Sequence, residues 1–249
     1  MFRSSGCTAK CISLRAVTSD NGCVVLDVQR DRILKLNAVG TEMWHLLGTG
    51  RTEAEIARTV AQRHEVPEQR VAEDLKGLLA QIDELDVSPR DCTFVEQTAA
   101  PTQSASSSYP WYGQIAGEDQ TPKPKTFLVL VASVGLAIFD LILYLTGLNT
   151  LCMLVKAWPL RKQRSSESPT TGQICSSIRQ ACVWYPKRAL CLQRSAVTTC
   201  LLKIYGVAAS MVVGIRPMPF MAHAWVESEG KVVNDWPGVR KFYSSVVAY

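Results

Sequence analysis

Only three histidines occur in the 249 residues, and no two cysteines stand in a C-x-x-C pair. That leaves little from which to build a zinc site, and no metal is expected. The nine cysteines are an odd number without framework spacing. They do not form a complete disulfide scaffold, and free thiols point to a reducing cytosol. No stretch looks like a phosphate loop, and no cofactor is implied. The net charge of +5 is mild and does not by itself imply nucleic acid; it marks a solvated basic surface that helps with an acidic peptide at most. The opening MFRSSGCTAK is not followed by an apolar core, so no secretory signal is expected. A chain of this length buries a real core, in one large or two small domains.

Against those absences stands the stretch from Ala189 to Asp235. Cys191 opens a segment to Tyr205 with an apolar stripe of Val197, Leu201, Ile204 and Ala208, and Gly206 follows where a helix would end. A cysteine in a first helical turn feels the positive end of the backbone dipole, which raises its thiolate fraction. Lys187 and Arg188 just upstream push the same way. Two strand-like runs follow, Phe220 to Glu227 and Lys231 to Trp236, separated by Ser228, Glu229 and Gly230, a three-residue hairpin loop with Gly last. With Glu227 facing Lys231, His223 falls opposite Asp235, with side-chain roots about 5 Å apart. Trp225 and Val233 share that face, and Ala222, Ala224 and Val226 point away. A carboxylate there holds an imidazole by its ring N–H. A loop bulge would slip the register and substitute Asn234, whose amide can orient the ring as well.

The competing reading takes Cys191 and His223 as core and surface residues of no catalytic significance. Cys200 serves as an internal control. Nine positions after Cys191, at about 100° per residue, it lies on the opposite side of the helix and is assigned to packing. Cys182 is the nearby rival nucleophile, but it precedes Trp184, Tyr185 and Pro186 without an obvious helix start.

The runs CLQRSAVTTCLLKIYG, MAHAWVE and NDWPG resemble the transglutaminase-like cysteine protease of lasso peptide biosynthesis, the B protein that removes the leader from the precursor. The resemblance covers roughly Leu151 to the C-terminus. It implies that Cys191, His223 and Asp235 are catalytic, in a transglutaminase- or papain-like protease domain.

Residues 11 to 90 read as a separate small domain. Cys11 to Val17, Cys23 to Gln29 and Ile33 to Leu36 look like strands, the first two joined at Asp20, Asn21 and Gly22. Three helical patterns follow: Ala38 to Leu47; Thr52 to Arg63, with Thr52 and Glu55 as a capping box; and Pro67 to Leu85, with Pro67 in the first turn. Three strands and three helices make a winged-helix-like unit with an exposed sheet edge, where an extended peptide adds as a further strand. The run LNAVGTEMWHLLGTGRT and the third helical pattern resemble the RiPP recognition element, the PqqD-like domain that binds leaders of ribosomally made precursors. The resemblance implies that the leader lies between the third strand and the third helix. Ile33 and Lys35 on the strand, and Val71, Asp74, Leu75 and Leu78 on the helix, are then the leader-binding candidates; the alternative for the apolar ones is ordinary core. His45 and His64 are read as surface residues.

Residues 91–125 are poor in aliphatics and rich in Ser, Thr, Gln, Ala and Pro, as a flexible linker is. Phe127 to Leu145 is nearly all apolar, broken by Ser133, Gly135 and Asp140, with basic residues on both sides. Its length suits a membrane span, a helix buried against the protease domain, or peripheral membrane contact. Asp140 would cost at least about 2.5 kcal/mol in lipid, and the protease resemblance favours the buried helix.

The reading is thus α+β: a leader-recognition domain over 1–90, a linker over 91–125 and a cysteine protease domain over 126–249. It is cytoplasmic, with 127–145 as the candidate for membrane association. The expected partners are a lasso precursor leader and, by resemblance, the ATP-dependent asparagine-synthetase-like cyclase. A transglutaminase-type acyl transferase and a non-catalytic precursor-binding chaperone are the alternative functions.

Overall fold

The β-rich runs near the N-terminus do pair, in a computed structural model that describes residues 14–19, 21–27, 30, 32–95, 122–161, 168–187, 191–217 and 220–249. Strands β1 (Leu14–Ser19), β2 (Gly22–Asp27) and β3 (Arg32–Asn37) form an antiparallel meander. A fourth strand, β4 (Cys92–Val95), runs parallel to β1, giving the order β3-β2-β1-β4. Sequence reading placed these four residues in the linker; their short β run carries too little alternation to announce a strand. Residues 96–121, most of that linker, lie outside the described residues, as does Cys11.

Helices α1 (Ala38–Gly48), α2 (Glu53–His64) and α3 (Glu68–Leu85) cover one face of the sheet. Asn37 caps α1 by accepting from the Gly40 N–H at 2.7 Å, and the expected Thr52–Glu55 capping box opens α2. Pro67 is the cap residue of α3 rather than its first helical residue, a shift of one position. Trp44, Ile56, Val60, Val71 and Leu75 form the centre of this core with Ala16, Val25 and Leu34. The last turn of α3 has no basic residue of its own. Arg32 donates to the Glu84 carbonyl at 3.0 Å, and Arg30 to that of Asp86 at 2.8 Å, so the β2–β3 end of the sheet supplies the cations that suit a helix C-terminus.

The chain divides into two units, Met1–Val95 and Glu96–Tyr249. The second begins with α4 (Thr126–Ala157), which is kinked at Gly147, where φ is +81°. Leu128, Ala132, Leu136 and Phe139 make a buried stripe on α4 at spacings of three and four. They pack with α5 (Thr171–Trp184) and α6 (Cys191–Ile204). On α4's other side Phe127, Leu130, Val134, Ile138, Leu141 and Leu145 are exposed. By length and composition α4 is able to cross a membrane. However, Asp140 is not left to lipid: it accepts from Lys187 Nζ at 2.8 Å and from Gln193 Nε2 at 3.2 Å. The buried stripe and these bonds tie one face of α4 to its neighbours and leave the other face apolar and open.

Helix α6 is enclosed along almost its whole length, from Gln193 to Leu202. It ends as expected, with Gly206 left-handed at φ +75° and the Val207 N–H donating to the Leu202 carbonyl at 2.9 Å. Strands β5 (Ser210–Arg216), β6 (Met221–Ser228), β7 (Lys231–Val232) and β8 (Ser244–Ala248) form a sheet in the order β7-β6-β5-β8.

Candidate active site

Three elements supply the site. Cys191 is the first residue of α6, His223 stands in β6, and Asp235 follows the short strand β7. Helix and sheet are tied by polar bonds that fix these side chains. Ser195 Oγ, one turn along α6 from the cysteine, donates to the Ala224 carbonyl on β6 at 2.9 Å. Asn234 Nδ2 donates to Ser195 Oγ at 3.0 Å, and Asn234 Oδ1 accepts from the Val226 N–H at 2.7 Å.

The hairpin turns one residue tighter than expected. Ser228 pairs with Lys231, so the loop is Glu229 and Gly230, both left-handed at φ +49° and +74°. That is the two-residue geometry matched to strand twist. In this register Val233 faces Val226, its N–H donating to that carbonyl at 2.9 Å, and joins the main core. Val232 takes the place beside Trp225 that had been expected for Val233. His223 and Asp235 therefore do not meet as a cross-strand pair. The strand ends at Val232, and the chain bends so that Asp235 reaches the imidazole from a turn. Asn234, the residue that a slipped register would have put against the ring, instead caps the Val226 N–H.

The bonds are short. His223 Nε2 donates to Asp235 Oδ2 at 2.8 Å, leaving Nδ1 for the bond it shares with Cys191. Asp235 Oδ1 accepts from the Trp236 N–H at 2.8 Å, and Oδ2 also accepts from an Arg194 guanidinium nitrogen at 2.6 Å. Two aromatic rings stand beside the imidazole, Trp225 at 6.3 Å and Tyr243 at 5.2 Å by centroids.

Burial of His223 disfavours its charged form, but bonds to Asp235 and to Cys191 outweigh it and push the imidazole up to about 9. Burial likewise works against the Cys191 thiolate. His223, the Ala224 N–H that donates to the sulfur and the Arg194 charge overcome it, and the thiol falls below its usual range. Burial raises Asp235, yet His223 and Arg194 hold it below the ordinary carboxylate value. The site is therefore disposed to a thiolate–imidazolium pair, the form in which a cysteine acts as nucleophile.

Among the described residues, the thiols of Cys175, Cys182 and Cys200 lack this environment. Burial pushes Cys200 up to about 12 and Cys175 to about 11, and raises Cys182 as well. Cys200 is a core residue, as assigned. Of the two upstream cations, Lys187 is engaged with Asp140, and Arg188 lies outside the described residues. Among the described residues, the arginine that acts on the sulfur is Arg194, three residues into the helix, which the sequence expectation did not include. Its i, i+3 spacing from Cys191 was the available signal.

The leader-binding candidates divide. Ile33, 43% exposed, and Lys35 project outward from β3, and Asp74 is exposed on α3. Val71, Leu75 and Leu78 are core residues at 2%, 1% and 6% exposure, so the core alternative holds for them. Their i, i+4, i+7 spacing is what a helix needs to pack on its own sheet. His45 and His64 are on the surface.

Residues 138–248 match the transglutaminase-like superfamily, and residues 22–87 match coenzyme PQQ synthesis protein D, PqqD. The microcin J25-processing protein McjB of Escherichia coli is 40% identical over 50 residues, which are 20% of this chain and 24% of that protein. The chain thus spans about a quarter of the length of the curated relative it matches. A solved structure, TbiB1 in complex with the TbiA(beta) leader peptide, matches over 30% of this chain and 88% of that one at 25% identity, with a TM-score of 0.29. A PqqD-like unit is thus followed by a transglutaminase-like unit, and in that composition the chain is similar to the lasso peptide B proteins.

Proposed function

We propose that the chain is a cysteine endopeptidase that captures the leader of a lasso precursor and cuts it from the core peptide. The observation that carries this reading is the Cys191–His223–Asp235 array at a helix start, in a chain that also holds a PqqD-like unit. The Cys191 thiolate attacks the carbonyl carbon of the leader–core bond. His223 Nδ1 gives its proton to the departing amine of the core, leaving the leader as a thioester on Cys191. Neutral His223 then takes a proton from water, whose oxygen displaces the sulfur, and the leader leaves as a free acid. Asp235 holds His223 in the tautomer and orientation both steps need. The Cys191 backbone N–H, one of the first-turn donors that a helix leaves unpaired, faces the developing oxyanion.

The recognition unit covers 1–95, with β4 as its last strand, and the protease unit 126–249, with 96–125 joining them. The leader adds to the outer edge of β3, since β4 covers the edge of β1 and no strand among the described residues pairs with that of β3. Ile33 and Lys35, with Asp74, provide the side chains around that edge. The freed core passes to an asparagine-synthetase-like cyclase. The chain works in the cytoplasm, and the outward apolar face of α4 is its surface for membrane contact.

The transglutaminase-like match favours one second reading, in which an amine rather than water accepts the acyl group. Mass spectrometry of the products of the purified protein and its precursor separates the two. Hydrolysis releases a leader ending in a free carboxylate, and acyl transfer gives a leader carrying the mass of an amine. Cys191→Ala is expected to abolish either product. Unchanged precursor maturation by that variant would leave only a peptide chaperone.

A further inference from the structure

The guanidinium of Arg194 stands closest to the charged triad and has no role in the steps above. Its terminal nitrogen bonds the same carboxylate oxygen, Asp235 Oδ2, that holds His223, at 2.6 Å against 2.8 Å for the imidazole. Arg194 lies one helical turn beyond Cys191 on α6, so one helix carries both the sulfur and the cation. The side chain is half-buried, and its Nε is buried without a hydrogen-bond partner. A guanidinium kept this way, with one donor unsatisfied, is costly unless the charge itself is needed.

We infer that Arg194 is a positioning residue for the proposed cysteine chemistry: it fixes the Asp235 carboxylate on the imidazole and places a positive charge on the Cys191 side of the triad. This rests on the reading of Cys191 as the nucleophile. The groups facing Arg194 are the thiols Cys175 and Cys182 of α5, Cys191 of its own helix and Asp235 from the turn after β7. His223 faces Cys191 and Asp235 from β6. From α4, Asp140 is bound to Lys187, Tyr185 and Gln193 instead. Asp235 is thus the carboxylate that answers Arg194.

Removing a cation raises the pKa of every acid near it. A purely mechanical anchor would lower turnover without moving the pH limbs, whereas loss of the charge moves both limbs to higher pH. The direct readout is the pH dependence of Cys191 alkylation by iodoacetamide, followed by peptide mapping of the full-length protein. It needs no precursor, and the thiols pushed up to about 11 and about 12 stay unreactive well above neutral pH.

In the unsubstituted protein Cys191 is expected to react below the ordinary thiol range. In Arg194→Gln the alkylation curve moves up by about one pH unit, and leader release at neutral pH slows about tenfold. Arg194→Lys restores the curve because it restores the charge. An Arg194→Gln protein that is folded by circular dichroism, yet keeps the original alkylation curve, overturns the role of Arg194 and leaves the protease reading standing. A Cys191 that is inert in the unsubstituted protein overturns both.

Discussion

Asp235 Oδ2 serves two donors, His223 and Arg194, while Oδ1 holds the Trp236 N–H. Asp235→Asn keeps the shape but removes the charge that both cations answer. The imidazole loses the support that lifts it to about 9, and leader release is expected to fall by about 10²–10⁴-fold. The pH profile follows from the same groups. Activity should rise through the Cys191 pKa, which lies below the usual thiol value, and fall as pH climbs through about 9, where His223 gives up its proton. Asp235→Asn should bring that alkaline limb down, as a kcat/KM profile will show. Stability shares the sign: because the folded-state pKa of His223 is raised, its contribution is full below about 6.5 and is lost as pH rises through about 9. At this scale the meeting of Cys191, His223 and Asp235 was legible, because helix starts and hairpins announce themselves in spacing and turn residues. Arg194 was not, since a positive charge inside a helix reads as solvated until a partner from a distant turn is known.

Among the elements, β5 is the one whose smallest residue sets the site. Gly214 pairs with His223 across the β5–β6 ladder, where the β5–β8 register also shifts. A Cβ at Gly214 would lie 2.6 Å from the Trp225 ring and 3.0 Å from Tyr243 Cβ. Those are the two rings beside the imidazole. Gly214→Ala must displace one of them, and overpacking of this kind costs about 1–3 kcal/mol. Thermal or urea unfolding should therefore show a less stable protein, with slower leader release because the ring behind His223 moves. Nothing in the sequence marked this glycine, since a close approach between strands is a property of the folded sheet. The hairpin teaches the complementary lesson. Glu229 and Gly230 held enough turn character to predict a hairpin. Loop length was misjudged by one because a non-glycine residue, Glu229, adopts the left-handed conformation. The same applies to β4, whose pairing with β1 is a long-range contact that no local pattern reports.

At the scale of the whole chain, the proposed function assigns recognition and chemistry to different units, and the two kinds of damage should then separate in kinetics. The helices and strands of both units were largely legible because their apolar periods are regular. The leader-facing residues were not, since Val71, Leu75 and Leu78 satisfy a core stripe and a peptide groove equally well in sequence. On the proposed reading, what remains for the leader is the outer edge of β3 with Ile33 and Lys35, and Asp74 exposed on α3. Binding energy gained there lies far along the peptide from the bond being cut, and it is the same in ground and transition states. Interactions of that kind set KM and leave kcat alone. Ile33→Asp combined with Lys35→Glu should then raise KM for the full precursor about tenfold while kcat stays within about twofold. Direct binding of a fluorescent leader peptide should weaken by a similar factor. Asp235→Asn should do the reverse, lowering kcat and leaving leader binding intact. A precursor stripped of its leader-binding segment but keeping the scissile bond should be cut equally slowly by the β3 variant and the unsubstituted protein. Tethering the bond near the protease is what the first unit contributes, and such a substrate has nothing to tether. If the β3 variant lost kcat instead, the edge would have to act on the chemistry itself, and the division of labour argued from the two units would fail.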